Sequence, residues 1–395
     1  MKLLKDTRTD NQIKNLFQNL PKSIICLSHL RWDFVYQRPQ HLLTRFAETF
    51  KIFFFEEPVY DAQEQPYYSY LEQSDNIYRI IPHLPTGLNN LESTAILKLL
   101  FDQFMENKTL SDFAFWYYTP MALEFTRRYI PELIIYDCMD ELSAFKFAPE
   151  ALKDLEQELL KKADIVFTGG QSLYEAKKNQ HANIYPFPSS IDKKHFAQAR
   201  QLKQSFANTR STGQPTLGFY GVIDERFDMD LIRGIADMRP NWQIVLIGPI
   251  VKIAPSTLPK NHNIKYLGPK NYSDLPSYLA TWDVALIPFL LNESTRYISP
   301  TKTPEYLAAG VPVISTPIRD VINPYGKNKH VAIGSTAEEF VTAAEYILQT
   351  ANYDWTEIDD FLDQNSWDKT CQNMLAMIKK TITSRSLTST KQIYV

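Results

Sequence analysis

The sequence predicts an α/β protein of two lobes, each a parallel sheet wound on both sides by helices. Three observations carry that reading. At 395 residues the chain is long enough for two cores at roughly 150 residues per domain. Short runs that are apolar throughout alternate with longer helical patterns, as parallel strands covered on both faces require. The alternation lapses once, in the polar stretch AQARQLKQSFANTRSTGQP at 197–215, and then restarts. That stretch ends in Gly213 and Pro215 and reads as a linker. The lobes are therefore expected at 1–197 and 213–365.

The elements follow in order. Ile13, Leu16, Phe17 and Leu20 recur at i, i+3, i+4 and i+7, an amphipathic helix stopped by Pro21. Ser23–Ser28 (SIICLS), Ile52–Phe55, Phe113–Tyr118, Leu133–Tyr136 and Asp164–Thr168 read as strands of the first sheet. Arg38–Thr49 and Glu150–Lys162 read as helices, the first opening on Pro39. In the second lobe the strands are Leu217–Tyr220, Gln243–Ile247, Ile264–Leu267, Val284–Ile287 and Val313–Ser315. Helices fall at about 229–238, 273–280, 302–309 and 336–349. A last helix, at about 366–383, follows the second lobe, and the pattern leaves open whether it returns to the first. The Ser/Thr-rich tail from Ser384 is expected to fray.

Composition excludes several classes. With 42 Lys+Arg against 45 Asp+Glu, the net charge of −3 offers no field for nucleic acid. The 12 glycines are under half the usual share of roughly 7%. No G-x-G-x-x-G or G-x-x-x-x-G-K-[ST] occurs, so a dinucleotide oxidoreductase or a P-loop enzyme is a poor fit. Cys26, Cys138 and Cys371 are too scattered for a C-x-x-C site and read as buried free thiols. Residues 1–17 have no apolar signal core, and no run approaches the ~18 residues of a spanning helix. A cytoplasmic location is expected.

Ligands of doubly wound sheets bind beyond the carboxyl ends of the strands, which in two lobes means the cleft between them. The stretch SPTKTPEYLAAGVPVIST, 299–316, has the chemistry for such a site. Pro300 and Pro304 fix the start of a helix, and Lys302 and Glu305, three apart, share one face of it. A diphosphate beside Lys302, with Glu305 accepting from two ribose hydroxyls, would use every polar group here. An ordinary surface Lys–Glu pair has the same pattern.

This stretch resembles the donor-binding segment of GT-B glycosyltransferases of the retaining, family-4-like kind. So does LGFYGVIDERFDMDL, 217–231, while WDFVYQRPQH, 32–41, resembles the start of the first lobe in a subgroup serving bacterial surface polysaccharides, such as teichuronic-acid-type enzymes. The resemblance spans most of 23–330. It implies two Rossmann-like lobes, with a nucleotide-diphosphate sugar held by the second. A saccharide or lipid-linked acceptor is held by the first, and no metal or cofactor is required. Glu305 stands at the ribose-binding position. The second Glu that many relatives carry eight residues earlier is Tyr297 here. Ser299, Pro300 and Thr301 share the donor loop. Arg226, beyond Gly221, and Arg296 are the basic residues offered to the diphosphate; a solvated loop charge is the alternative for Arg296.

In the first lobe, Ser28-His29-Leu30-Arg31-Trp32-Asp33 replaces the glycine-rich loop of many relatives. Trp32 is placed to stack on a sugar or simply to pack. Arg38 in a first helical turn opposes the helix dipole and so calls for an anionic neighbour. Asp137 and Asp140 follow the LIIY strand and face the expected cleft, as hydroxyl acceptors or as caps. Gly169-Gly170 offers backbone to a ligand. Under retention, the leaving phosphate takes the acceptor's proton. Under inversion, a base is needed, and Asp33, Asp140 and His29 are the candidates. Asp228-Met-Asp230 matches a D-x-D metal pattern but also suits the first turn of a helix. Lys161-Lys162, Lys177-Lys178 and Lys193-Lys194 give the first lobe basic character suited to peripheral contact with the inner face of a membrane, or to solvated helix faces. A nucleotide-sugar epimerase, or a sugar-nucleotide-binding protein without turnover, are the alternatives to a transferase.

Overall fold

A computed structural model describes residues 20–206, 213–350 and 353–393. The first lobe is an eight-stranded sheet, β1 (Ser23–Leu27), β2 (Lys51–Phe55), β3 (Tyr67–Ser74), β4 (Ile77–His83), β5 (Phe113–Tyr117), β6 (Leu133–Cys138), β7 (Ile165–Thr168) and β8 (Ile184–Pro186). Its order is β3-β4-β2-β1-β5-β6-β7-β8, parallel except for the β3–β4 pair. The second sheet runs β11 (Ile264–Tyr266), β10 (Gln243–Ile247), β9 (Thr216–Tyr220), β12 (Val284–Ile287), β13 (Val313–Ser315) and β14 (Val331–Ile333), all parallel. This is the GT-B arrangement of two Rossmann-like sheets. Each order reverses about its first strand, giving switch points at β1/β5 and β9/β12.

Fully apolar strands place one buried cluster on each face of the first sheet, and a third cluster fills the second lobe. The predicted strands all form. Residues 58–112 had no assignment from the pattern. They hold the hairpin β3–β4 and the helix Asn90–Lys108. β3 is an exposed edge strand without apolar alternation, so periodicity does not mark it. The helix does announce itself, through a capping box between Asn89 and Glu92.

The polar stretch from 197 is not a linker at its start. It belongs to the helix Lys193–Phe206, whose Phe196 and Ala199 lie in the second lobe's core. Arg200 of this helix pairs with Asp359 at 2.7 Å. The amphipathic helix expected over 13–20 lies, but for Leu20, outside the described residues. The chain crosses between lobes twice at one place, where Ile191 and Ser366 pair as a parallel bridge. The last helix, Trp367–Ile393, packs on the first lobe and includes the tail expected to fray. Trp367 stacks on His41 at 4.7 Å, and Cys371, Met374 and Ile378 join the first lobe's core.

Trp367→Ala is therefore expected to cost about 3–5 kcal/mol, read as a lowered midpoint in urea unfolding. A midpoint within error of wild type would show that the returning helix does not support the first lobe.

Candidate active site

The two switch points face each other across a cleft of ≈ 460 Å³. From the first lobe it is lined by the loop Trp32–Arg38 beyond β1 and by Met139-Asp140 beyond β6. The second lobe contributes Tyr220, Gly221 and Arg226 beyond β9, and Ser299–Lys302 with Glu305 around the helix Lys302–Ala308.

Glu305 is buried, and Lys302 lies half-buried beside it. Burial pushes the Lys302 ammonium below its ordinary value, against the pull of Glu305. Burial pushes the Glu305 carboxyl up to about 7, against hydrogen bonding from Tyr220 and the charge of Lys302. The Tyr220 hydroxyl donates to Glu305 Oε2, and the Tyr220 N–H donates to the Tyr306 hydroxyl at 3.1 Å. One carboxylate oxygen is thus fixed in place. Gly221 makes the room. At φ 141° it takes a conformation that L side chains rarely adopt, and a Cβ there would lie 2.3 Å from Lys302 Cε.

Arg226 is held in plane by Asp224, with contacts of 2.6–3.1 Å, and presents its guanidinium to the cleft. Asp140 comes from the opposite lobe. Burial lifts its carboxyl to about 6, against the attraction of Arg226, Arg38 and Lys302. Lys302 and Arg226 therefore face one gap together with the carboxyls of Glu305 and Asp140, both lifted toward their neutral forms by burial.

Other expected residues sit elsewhere. Arg296 does not line the cleft: its side chain is exposed and pairs with Glu293 at 3.7 Å. Asp137 is wholly buried and occupied by Arg38, whose Nε and Nη2 donate to it at 2.8–3.1 Å. Nη1 of Arg38 donates to the Phe187 carbonyl. The anionic neighbour that Arg38 calls for is thus a protein group, and Arg38 also reaches the cleft wall. His29 lies off the cleft, and burial lowers its pKa to about 4, leaving a poor base. Trp32 packs edge-on to Phe54 in the core rather than standing free to stack on a sugar. Asp33 lines the cleft in an ion pair with Arg79. Gly169 lines the cleft, but Gly170 is small for another reason: a Cβ there would meet Asp320 and Ser299 of the other lobe.

Asp228 caps the helix Met229–Met238, accepting from the Leu231 N–H at 2.9 Å, and Asp230 pairs with Arg233. The D-x-D match is helix capping. The basic pairs are partly consumed too. Lys177 is buried between Glu141 and Glu156, each at 2.8 Å, and Lys193 pairs with Asp363. Among the described residues no helix is long and apolar enough to cross a membrane. Sequence reasoning missed Tyr220 and Asp224, which orient Glu305 and Arg226. Both lie within the LGFYGVIDERF stretch already singled out, and the i, i+2 spacing of Asp224 and Arg226 was the available signal.

Comparison with known proteins places this geometry. Residues 214–350 match the family model described as Glycosyl transferases group 1, which covers most of the second lobe. A Bacillus subtilis (strain 168) protein named as a teichuronic acid biosynthesis glycosyltransferase, TuaH, is 24% identical over 217 residues. The match spans 51% of this chain and 54% of that one, so about half the relative's length is covered. An E. coli structure described as trehalose-6-phosphate bound with UDP-2-fluoro glucose superposes with a TM-score of 0.64 at 12% identity, covering 90% of this chain and 99% of that one. The catalytic domain of starch synthase IV from Arabidopsis thaliana, bound to ADP and acarbose, gives a TM-score of 0.65 at 8% identity, covering 92% and 100%. The chain has the GT-B fold and resembles glycosyltransferases of surface-polysaccharide synthesis.

Two outcomes follow. Asp137→Ala strands Arg38 as a buried unpaired charge and is expected to cost about 3–5 kcal/mol; chemical denaturation within 1 kcal/mol of wild type would contradict the pairing. For Glu305, the folded pKa lies above the ordinary 4.5, so the native state holds the extra proton between the two values. Its contribution is fully present below pH 4.5 and is lost as pH rises through about 7. The stability of wild type relative to Glu305→Gln should therefore fall over that window. A pH-independent difference would contradict the burial.

Proposed function

We propose that this protein is a glycosyltransferase that moves a sugar from a nucleotide-diphosphate donor to a hydroxyl of a saccharide or glycolipid acceptor during surface-polysaccharide synthesis. One observation carries the proposal: Lys302, Glu305 and Arg226 meet in the cleft at the second lobe's switch point. Each has the chemistry that a nucleoside diphosphate needs. The relative named for teichuronic acid synthesis supports an acceptor of the cell surface. The solved relatives bound to UDP-2-fluoro glucose and to ADP support a nucleotide in such a cleft.

Glycosyl transfer passes through an oxocarbenium-like state as negative charge moves onto the departing diphosphate. Lys302 and Arg226 stand where that charge would grow and act as preorganised cations toward it. Glu305, with one oxygen held by Tyr220, keeps the other free to accept from the ribose. We read the transfer as retaining. The leaving phosphate then takes the acceptor's proton on the same face, and no protein base is required. Asp140, at the first-lobe wall, would orient an acceptor or donor hydroxyl. Neutralisation by side chains makes the reaction independent of added divalent metal in this reading. Peripheral contact of the first lobe with an anionic inner membrane face rests on the exposed Lys161 and Lys162.

A thermal-shift screen of nucleotide sugars tests the proposal. A donor at 100 times its dissociation constant should add about 2.7 kcal/mol; no shift with any nucleotide sugar would overturn it. With the donor found, Lys302→Ala should cut turnover on the order of 10²-fold, and EDTA should leave the wild-type rate unchanged. Product analysis separates the alternatives, because an epimerase converts the donor with no acceptor present, whereas a transferase releases nucleoside diphosphate only as glycoside forms. The anomeric coupling of that glycoside reports retention or inversion.

A further inference from the structure

The first lobe reaches the second lobe's Arg226 by a route that no hydrogen bond makes. Residues 141–149, beyond β6, form a compact loop. Its root is fixed by Lys177, which pairs with Glu141 at 2.8 Å, and by the Ser143 hydroxyl, which donates to Glu141 at 2.8 Å. Backbone turns continue it, with the Phe145 N–H donating to the Leu142 carbonyl and the Ala148 N–H to the Phe145 carbonyl. Between those turns the half-buried Phe145 ring crosses to the other lobe. The Arg226 guanidinium lies 5.2 Å from its centroid and the Lys252 ammonium 5.4 Å.

The backbone on both sides of this contact is unusual. Among the described residues only four non-glycines have positive φ, and two flank the contact: Phe147 at 67° and Lys252 at 61°. Such conformations cost energy and persist where surrounding structure imposes them, often at clamps. Phe147 is also largely exposed, so burial of its own ring does not explain its backbone.

We propose that Phe145 is a positioning residue, through which closure of the lobes sets Arg226 for the donor's diphosphate. The proposal rests on the glycosyltransferase reading above. Asp224 takes the Nε and Nη2 edge of the guanidinium and the Phe145 ring lies 5.2 Å from it, so groups from both lobes together restrict this side chain at the cleft wall. The ring can do this only while the lobes are together. By reciprocity, a diphosphate that locks Arg226 must favour the closed lobes, and closed lobes must favour the diphosphate. Lys252, on the same ring and 3.8 Å from Glu225, adds a second anchor outside the cleft lining.

The test titrates UDP, GDP and ADP by calorimetry into the full chain as wild type, Phe145→Ala, Phe145→Trp, Arg226→Ala and the double variant Phe145→Ala/Arg226→Ala. Unfolding temperatures confirm that each variant folds. For the nucleotide that wild type binds, Phe145→Ala should weaken affinity about 3- to 10-fold, and Phe145→Trp should stay within about twofold of wild type, since its ring keeps the contact. In the Arg226→Ala background, removing Phe145 should have no further effect. Wild-type affinity in Phe145→Ala, or an equal loss with and without Arg226, overturns the positioning role while leaving the glycosyltransferase reading intact. Failure of wild type to bind any of the three, together with no thermal shift from any nucleotide sugar, removes that reading, and this inference with it.

Discussion

The site depends on a buried carboxylate and a half-buried ammonium three residues apart on one short helix. Taking Lys302 and Glu305 out of water opposes both charges, and the protein answers with local support rather than with full neutralisation. Tyr220 donates to Glu305, Gly221 leaves space for the lysine, and Asp140 approaches from the other lobe. Each charged group is displaced from its ordinary protonation equilibrium in the direction that burial dictates. Groups perturbed in this way concentrate at functional sites.

The fold explains why these groups meet. Both sheets reverse their strand order about a central first strand, so each opens a crevice at its carboxyl edge. The two crossings at Ile191 and Ser366 sit side by side, and the returning helix packs Trp367 against His41. The aromatic contact of Tyr36 with Tyr272, at 4.5 Å, and the bonding of Ser172 to Asp320 join the lobes on either side of the cleft. These contacts are small and mostly polar or aromatic. They suit lobes that move relative to one another more than a fused core.

Much of this was legible from the chain. Parallel strands buried on both faces leave apolar runs, and those runs predicted both sheets. The Lys302–Glu305 spacing carried their meeting at the cleft wall, because helical periodicity places i and i+3 on one face. What was illegible depended on long-range pairing. Asp137 and Arg38 are 99 residues apart, and nothing local says that they satisfy each other rather than a ligand. His29 follows a strand as a catalytic base would, but only the fold reveals the burial that weakens it. The segment 197–206 reads as part of a linker because the exposed face of its helix is polar, while among the described residues its apolar face is Phe196 and Ala199 with Leu202 packed alongside. The Gly169-Gly170 step reads as a ligand loop until Asp320 and Ser299 are seen pressing on Gly170.

The most direct measurement is a co-crystal structure with the nucleoside diphosphate that the protein binds. The account predicts the two phosphates within hydrogen-bonding reach of Lys302 Nζ and the Arg226 guanidinium, with the ribose hydroxyls on the free oxygen of Glu305. A nucleotide bound away from these three side chains would contradict it.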